Sequence, residues 1–264
     1  MKLNIPQNIV LIGAGNVATH LGKALLQKGL NMVQVYSRTL ESAERLAFEL
    51  STNFTNSPGE IETGADLYIL SIPDRAAGEL LPQISLKDEL IVHTSGSLPM
   101  NILSEVSAKH GVFYPLQTFS KKRKLDYSTI PFCIEANSIE SLEKLHALAN
   151  LLSGRIFELD SIQRKQAHLA AVFACNFSNH MFRISDDILK EHNIPFDLLK
   201  PLIKETAAKV MEHHPKEAQT GPALRNDIRV IEEHLRLLDK NENMRELYKQ
   251  ITGDINKRHN KDNK

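Results

Sequence analysis

The sequence contains no tryptophan and only two cysteines, Cys133 and Cys175, and its 32 lysines and arginines balance 32 aspartates and glutamates. Two cysteines without a CxxC spacing make neither a disulfide framework nor a zinc site. A nucleic-acid-binding protein usually has a basic excess, which is absent here. No apolar run is long enough to span a membrane, and the first residues do not form a secretory leader. These absences predict a cytoplasmic protein that binds no metal ion, no nucleic acid and no membrane.

Two short basic runs, at residues 121–124 and 257–264, are the local exceptions to this balance of charge. Runs of this length are typical of solvated loops and chain ends. We therefore expect a surface loop and an exposed terminal segment at these positions.

The first part of the chain alternates short apolar runs with helical patterns, which is typical of a parallel sheet built from βαβ units. The predicted strands are residues 8–12, 31–36, 66–72, 90–93, 112–114, 132–135 and 155–159. The predicted helices between them are residues 17–28, 40–50 and 138–152. Beyond about residue 160 the strand patterns stop, and the helical stretches are residues 161–192, 196–213, 222–240 and 242–255. The sequence thus predicts an α/β fold, with a Rossmann-type parallel-sheet domain over residues 1–160 and an all-α domain over residues 161–264.

A GxGxxA pattern at residues 13–18 follows the first predicted strand and opens the first predicted helix. Gly13 would permit the tight turn, and Gly15 would let the backbone approach a pyrophosphate. The N–H groups at the start of such a helix face the phosphates. The alternative is a glycine turn without a ligand. The predicted contacts to a dinucleotide are Gly13, Ala14, Gly15, Asn16 and Val17.

The end of the second predicted strand indicates which dinucleotide is bound. An acidic residue there would accept hydrogen bonds from the ribose 2′-hydroxyl of NAD, but residues 35–39 read VYSRT and contain no acid. Arg38 can pair with a 2′-phosphate, and Ser37 can donate a hydrogen bond to it. The alternative is that Arg38 is an exposed residue at the start of a helix. The sequence therefore favours NADP(H) as the cofactor.

Small and polar residues also follow two other predicted strands. Ile72 and Pro73 come at the end of the strand predicted at residues 66–72, and Ser95 and Gly96 follow the strand predicted at residues 90–93. Ligands of open α/β sheets bind at the carboxyl ends of strands, so we expect these residues near the nicotinamide and its ribose. Ordinary turns use the same residue types, which is the alternative.

A polar stripe runs along the helix predicted at residues 161–192. At 100° per residue, His168, Asn176, Asn179 and Arg183 fall within an arc of roughly 80°. Burial of these groups without partners would be costly, so we expect them to face a ligand, water or another chain. His168 can act as a general acid or base, and Asn176 can orient a carbonyl, carboxylate or imine. The alternative is a hydrogen-bond network between packed helices or at a dimer seam.

A second polar group lies in the segment TGPALRND at residues 220–227. Pro222 suits the first turn of a helix that Thr220 would cap. Arg225 would then lie near the start of this helix, where it can bind an anionic group of a substrate. The alternative is a structural pair between Arg225 and Asp227.

Six segments, read in order, resemble the Rossmann-like proteins that have a C-terminal DUF2520 domain: GAGNVATHLG, IPD, HTSGS, YPLQTFS, AHLAAVFACNFSNH and TGPALRNDIRVIEEHL. The resemblance covers residues 8–240. That family is similar to pyrroline-5-carboxylate reductases and, more distantly, to 6-phosphogluconate and β-hydroxyacid dehydrogenases. The resemblance implies an NADP-binding domain joined to an all-α dimerisation domain, with the active site in the cleft between them.

The chain departs from the family pattern at two positions, with Tyr114 in place of a histidine and Asn226 in place of a glycine. The catalytic lysine motif of the β-hydroxyacid dehydrogenases is also missing, because the residue four positions after His168 is Val172 rather than asparagine. The mechanism of those enzymes therefore does not transfer. The candidate catalytic residues are His168, Asn176 and Arg225.

The leading hypothesis is an NADP(H)-dependent oxidoreductase that acts on a small polar carbonyl, imine or hydroxy compound and forms a homodimer through its helical domain. Hydride transfer needs little from a protein beyond positioning and a proton source. One alternative is a non-catalytic NADP(H)-binding sensor or regulatory module. Another is a structural dimer with a vestigial nucleotide site.

Overall fold

The computed structural model describes residues 5–120 and 123–262. Lys121, Lys122, Asn263 and Lys264, which belong to the two basic runs, lie outside the described residues, as do Met1–Asn4.

The first half of the chain alternates strands and helices, as the sequence predicts. The strands are β1 (Asn8–Ile12), β2 (Asn31–Tyr36), β3 (Asn53–Thr55), β4 (Leu67–Leu70), β5 (Leu90–His93), β6 (His110–Pro115), β7 (Phe132–Ala136) and β8 (Ile156–Glu158). The helices among them are α1 (Asn16–Gln27), α2 (Leu40–Leu50), α3 (Asp74–Leu80) and α4 (Ile139–Leu152). Strand β3 and helix α3 are additions to the predicted elements.

All eight strands form one sheet in the order β3-β2-β1-β4-β5-β6-β7-β8. Neighbouring strands are parallel except for the antiparallel pair β6 and β7. The first six strands follow the Rossmann order 3-2-1-4-5-6, and the strand order reverses between β1 and β4. Ligands of such sheets bind at that switch point, beyond the carboxyl ends of the strands. The predicted α/β fold class is confirmed.

Apolar side chains cover both faces of the sheet. Within β1, Ile9 and Leu11 join the core that includes residues of α1, α2 and α4, whereas Val10 and Ile12 join the core that includes residues of α3. Alternate residues of a strand point to opposite faces, so a strand that is apolar throughout must be covered on both sides. This two-sided burial fixes the strand ends that carry the predicted nucleotide site.

The second half of the chain is helical. It contains α5 (Ser161–Ala171), α6 (Ser178–Glu191), α7 (Lys200–Glu212), α8 (Pro215–Ala218), α9 (Ile228–Leu237) and α10 (Glu242–Asp262). Asp160 caps α5, since its side chain accepts hydrogen bonds from the backbone N–H groups of Ile162 and Gln163, both at 2.8 Å. The change from strands to helices thus occurs near residue 160.

The chain separates into two compact units, residues 1–176 and 177–264. The division lies later than the predicted domain boundary at residue 160, because α5 belongs to the first unit. Within that unit, Arg164 of α5 forms a buried ion pair with Glu135 of β7, which joins the helix to the sheet. Sequence patterns located the end of the sheet, but they could not show which unit the first helix joins.

A π-helix at Val172–Phe177 separates α5 from α6. Its hydrogen bonds run from i to i+5, so each turn is wider than in an α-helix. The predicted arc from His168 to Arg183 assumed 100° per residue throughout, and this assumption fails at the π-helix. Asn176 lies within the π-helix, and Asn179 and Arg183 follow it, so the stripe does not continue in the predicted register. Cys175, which also lies in this segment, is exposed.

The second unit has little core of its own. Among its described residues, Ala223 is the one apolar side chain that is buried. Large apolar side chains are instead exposed on its helical segments, with Leu198, Leu202, Met211 and Leu237 between 61% and 85% exposed. An exposed apolar surface of this kind is typical of an interface with another chain.

The helix predicted to start at Pro222 starts at Ile228 instead. Residues 222–226 form turns, and Asp227 caps α9 by accepting a hydrogen bond from the Val230 backbone N–H at 3.3 Å. Gly221 has φ +105° and Asn226 has φ +53°, neither of which fits an α-helix. The glycine of the family pattern at position 226 suits this left-handed conformation, which asparagine also tolerates.

In the part of the chain that the structure describes, no helix is long and apolar enough to cross a membrane. Within the same residues, no cluster of three or more histidine, cysteine, aspartate or glutamate side chains could hold a metal ion.

Candidate active site

The turn after β1 is built around Gly13. Its φ is +120°, and its backbone N–H donates to the Tyr36 carbonyl oxygen at 2.7 Å. A Cβ at this position would lie 2.3 Å from the Ser71 carbonyl oxygen. Both the backbone conformation and the close approach to β4 therefore require glycine. This turn brings the ends of β1, β2 and β4 together.

Gly15 precedes α1 and leaves the start of that helix open. A Cβ at Gly15 would have no described atom within 4 Å. No described side chain caps the helix, and its first turn contains no acidic residue. The partial positive charge of a helix N-terminus is thus not neutralised there, and a pyrophosphate can approach the backbone closely. These features fit a dinucleotide.

A cavity of about 460 Å³ lies beside these two glycines. Seven of the predicted cofactor residues line it: Gly13, Ala14, Gly15, Ser37, Arg38, Ile72 and Pro73. Arg75, on the first turn of α3, also lines the cavity and was not among the predicted residues. Two arginines on one cavity suit a phosphate-bearing ligand, since each guanidinium group can donate two parallel hydrogen bonds to phosphate oxygens.

Four predicted cofactor residues do not line this cavity: Asn16, Val17, Ser95 and Gly96. Asn16 instead donates from Nδ2 to the Phe119 carbonyl oxygen at 3.0 Å. His20, one turn further along α1, contacts the Ser120 carbonyl oxygen through Nε2 at 2.9 Å. Asn16 and His20 therefore hold the loop that follows β6 against the start of α1.

The ends of β4 and β5 are joined by hydroxyl groups. Ser71 Oγ and Thr94 Oγ1 are 3.0 Å apart, and Thr94 Oγ1 also donates to the Leu70 carbonyl oxygen at 3.3 Å. Ser95 Oγ accepts hydrogen bonds from the backbone N–H groups of Ser97 and Leu98, which shapes the turn after β5. This turn is thereby held next to the strand end that lines the cavity.

His93, the last residue of β5, is a neutral side chain that contacts the turn after this strand. It is buried, and its Nδ1 accepts a hydrogen bond from the Ser95 backbone N–H at 3.2 Å. Burial, together with the nearby positive charge of Arg164, lowers the pKa of His93 to about 3. His93 therefore carries no charge at neutral pH and serves the turn rather than proton transfer.

His168, on α5, lies against the turn after β5. A Cβ at Gly96 would be 2.7 Å from both Cγ and Nδ1 of His168, so the ring occupies the space that a side chain at Gly96 would take. The Tyr114 hydroxyl lies 3.0 Å from His168 Nδ1. The structure thus brings His168, a predicted catalytic residue, together with Gly96 and with Tyr114 at the carboxyl end of β6.

A buried polar cluster fixes α5 in this position. Arg164, one turn before His168, is fully buried, and its guanidinium donates to Glu135 and to the Leu98 carbonyl oxygen. Ser161 Oγ donates to Glu135 Oε2 at 2.9 Å and accepts from the Met100 backbone N–H at 3.0 Å. The cluster connects α5 to β7 and to the turn after β5. Sequence reasoning missed it, and the available signal was a glutamate at the end of an apolar strand.

The other two predicted catalytic residues lie apart from this group in the chain. Asn176 is exposed and lies at the end of the first unit, within the π-helix. Arg225 is exposed and belongs to the second unit, in the turn segment before α9. Their roles stay predictions from the sequence.

Two family models match the chain. Residues 8–96 match the model described as NADP oxidoreductase coenzyme F420-dependent, and residues 130–255 match the domain of unknown function DUF2520. A glutamyl-tRNA reductase from Methanococcus maripaludis is 52% identical over 44 residues, which are 17% of this chain and 12% of that enzyme. The latter similarity concerns a short segment only.

Solved structures show the same fold over nearly the whole chain. An imine reductase from Myxococcus stipitatus in complex with NADP+ has a TM-score of 0.68 at 17% identity, covering 95% of this chain and 93% of that chain. A 1-pyrroline-5-carboxylate reductase from Streptococcus pyogenes has a TM-score of 0.63 at 14% identity, covering 95% of this chain and 98% of that chain. At these identities the likeness concerns the fold alone.

A protein from Bacteroides fragilis described as an NADP oxidoreductase is much more similar. It is 50% identical, has a TM-score of 0.91, and the match covers 96% of this chain and 98% of that chain. Identity at this level over both full lengths indicates common descent, and the chain therefore belongs to the same NADP oxidoreductase family, in which a Rossmann-type domain is combined with a DUF2520 domain.

Proposed function

We propose that the protein is an NADPH-dependent reductase of small polar carbonyl or imine compounds, with His168 as the proton donor. The observation that carries this proposal is that His168 of α5 packs against the turn after β5, next to the strand end that lines the dinucleotide cavity. A proton donor and a nucleotide cavity at one edge of a sheet are the two parts that such a reduction requires.

The residues around the cavity suit NADPH. Gly13 forms the turn, and Gly15 leaves the backbone open to a pyrophosphate. Arg38, Ser37 and Arg75 line the same cavity and provide positive charge and hydrogen-bond donors. When bound, NADPH supplies a hydride to the substrate carbon. The oxygen or nitrogen of the substrate must then take up a proton from the protein, and an imidazole is suited to this at neutral pH.

The substrate class is inferred from this proton requirement and from the imine and pyrroline reductases that share the fold. Asn176 would orient the polar group of the substrate, and Arg225 would bind an anionic group. Both assignments rest on the sequence. The predicted cytoplasmic location and the predicted lack of nucleic-acid binding likewise rest on composition.

The cofactor assignment predicts a selective effect of Arg38→Ala. Loss of a charge-assisted contact to the 2′-phosphate should cost about 1.5–3 kcal/mol and raise the Kd for NADPH roughly 10- to 150-fold. NADH lacks this phosphate, so its Kd should change little. Titrations followed by nucleotide fluorescence or calorimetry would measure both values.

Arg45→Ala is the matched control, since Arg45 is an exposed arginine on α2 that does not line the cavity. Its Kd for NADPH should equal that of the wild type. Equal losses for both nucleotides in Arg38→Ala would contradict the 2′-phosphate contact. If neither NADPH nor NADH binds to the wild-type protein, the proposed function itself is contradicted.

A homodimer formed through the second unit is also part of the proposal. Support comes from the scarcity of buried apolar residues in that unit and from the exposed apolar side chains on its helices, among them Leu198, Leu202, Met211 and Leu237. We expect sedimentation equilibrium at micromolar concentration to give twice the chain mass of 29.7 kDa. A monomer mass under these conditions would show that a second copy does not cover this surface.

A further inference from the structure

We infer that Tyr114 is a positioning residue, whose hydroxyl donates to Nδ1 of His168 and thereby holds the imidazole in the tautomer that carries its hydrogen on Nε2. The inference deepens the proposed function and rests on it for the identity of the reacting group. The hydrogen bond and the tautomer can nevertheless be tested without any substrate.

The first support is the contact between the two side chains. Tyr114 lies in β6, and its hydroxyl oxygen is 3.0 Å from His168 Nδ1. The two rings meet edge to face, with an interplanar angle of 72° and centroids 6.0 Å apart. Tyr114 is paired with Cys133 across the antiparallel strands β6 and β7, so its backbone is fixed by the sheet. The tyrosine is therefore a rigid support for the histidine.

The second support is the packing of the ring against Gly96. The atoms of His168 closest to a Cβ built on Gly96 are Cγ and Nδ1, both at 2.7 Å, and its own Cβ at 2.9 Å. This side of the imidazole is thus enclosed by Gly96 and Tyr114 together. Nε2 lies across the ring from Cγ, so it is the nitrogen left to meet a substrate.

The direction of the hydrogen bond follows from the chemistry of the two groups. A bare nitrogen of a neutral imidazole is a better acceptor than a phenol oxygen, and a phenol hydroxyl is a good donor. Burial raises the pKa of Tyr114 to about 12, so its hydroxyl keeps its proton at any pH suitable for assay. In the neutral pair the Tyr114 hydroxyl therefore donates to the unprotonated Nδ1 of His168, and the imidazole carries its own hydrogen on Nε2.

The same contact serves the protonated histidine. When His168 is an imidazolium, both nitrogens are donors, and Nδ1 donates to the Tyr114 oxygen. The ring then keeps one orientation in both charge states. The imidazolium delivers its Nε2 hydrogen to the substrate and keeps the hydrogen on Nδ1, which still donates to the Tyr114 oxygen, and solvent then returns a proton to Nε2. Holding a proton donor in one orientation lowers the entropic cost of reaching the transition state.

The hydrogen bond can be tested by nuclear magnetic resonance on the full-length protein without nucleotide. Histidines are labelled with ¹⁵N, and the ring signals of His168 are identified by their loss in His168→Gln. At pH 8 or above we expect the wild-type ring to show an unprotonated Nδ1 and a protonated Nε2. In Tyr114→Phe the two ¹⁵N shifts should move towards each other as the tautomers mix. Unchanged shifts would overturn the inference.

Tyr127→Phe is the matched control. The Tyr127 hydroxyl is buried without a hydrogen-bond partner among the described residues, so its removal costs no contact and should leave the His168 signals unchanged. A shift of equal size in both variants would mean that the signals respond to general repacking, which would also overturn the inference.

Turnover provides a second readout once a carbonyl or imine substrate has been found by screening. Tyr114→Phe should lower kcat about three- to tenfold, the value of one hydrogen bond, while KM and the Kd for NADPH stay near wild type. A rise in KM with unchanged kcat would overturn the positioning role. If the tautomer depends on Tyr114 but His168→Gln keeps full turnover, the proposed function fails and the hydrogen bond stands. If His168→Gln removes turnover but Tyr114→Phe leaves the ring signals unchanged, this inference fails alone.

Discussion

Replacement of Glu135 by alanine is expected to destabilise the protein by about 3–5 kcal/mol, because it leaves the guanidinium of Arg164 buried without its counter-charge. Arg164 is fully buried, and Glu135 is the carboxylate that it contacts. Ser161 would lose its acceptor in the same substitution. Urea unfolding, with the midpoint and slope compared between variants, measures the loss.

Two further variants make this result specific. Glu140→Ala removes an exposed carboxylate that pairs with Lys144 on the surface of α4, and it should leave the midpoint of urea unfolding close to that of the wild type. Glu135→Ala combined with Arg164→Met removes both buried charges, and it should recover part of the stability lost in the single variant. Two results would contradict the view that the unpaired charge of Arg164 causes most of the destabilisation. One is a small loss of stability in Glu135→Ala, and the other is a double variant that is less stable than Glu135→Ala.

Replacement of His168 by glutamine is expected to lower kcat about 10²- to 10⁴-fold, the usual contribution of a general acid or base. Glutamine can still form a hydrogen bond but cannot deliver a proton at neutral pH. The Kd for NADPH should stay within about twofold, since His168 is not among the predicted cofactor contacts and does not line the cavity. Oxidation of NADPH with a carbonyl or imine substrate, followed at 340 nm, would measure kcat and KM.

His146→Gln is the control for this experiment. His146 lies on α4 and contacts Glu158, and it does not line the cavity. Its kcat should equal that of the wild type. If His168→Gln retains turnover while NADPH binds normally, the proton comes from another group, and the role proposed for His168 is wrong.

Most of the strands and helices were predictable from their strong apolar patterns. The bounds of β1, β2, β5 and α2 agree with the predicted ones, since each is a short segment with buried residues between turn signals. The predicted start of α9 was wrong, because residues 221 and 226 have positive φ and the segment between them forms turns before the helix begins. A proline after a glycine is compatible with either outcome, and the backbone conformation cannot be derived from residue type alone.

The residues of the candidate site also fall into a group that the sequence predicted and a group that it did not. Residues that act through the backbone, such as Gly13 and Gly15, were predictable, because the turn requires them at fixed spacing. Contacts between distant segments were not. Tyr114 and His168 are 54 positions apart, and Arg164 and Glu135 are 29 positions apart. Nothing in a single sequence indicates which polar side chain reaches which partner across such distances, and the π-helix at residues 172–177 altered the helical register as well.

Different constraints apply to the two glycines of the turn after β1. Gly13 is confined by the Ser71 carbonyl oxygen, so the fold itself requires it. Gly15 faces open space, so only an approaching ligand requires it. A descendant that lost its cofactor would therefore be expected to keep the first glycine and to accumulate side chains at the second. Across homologues, position 15 rather than position 13 would distinguish working nucleotide sites from relics.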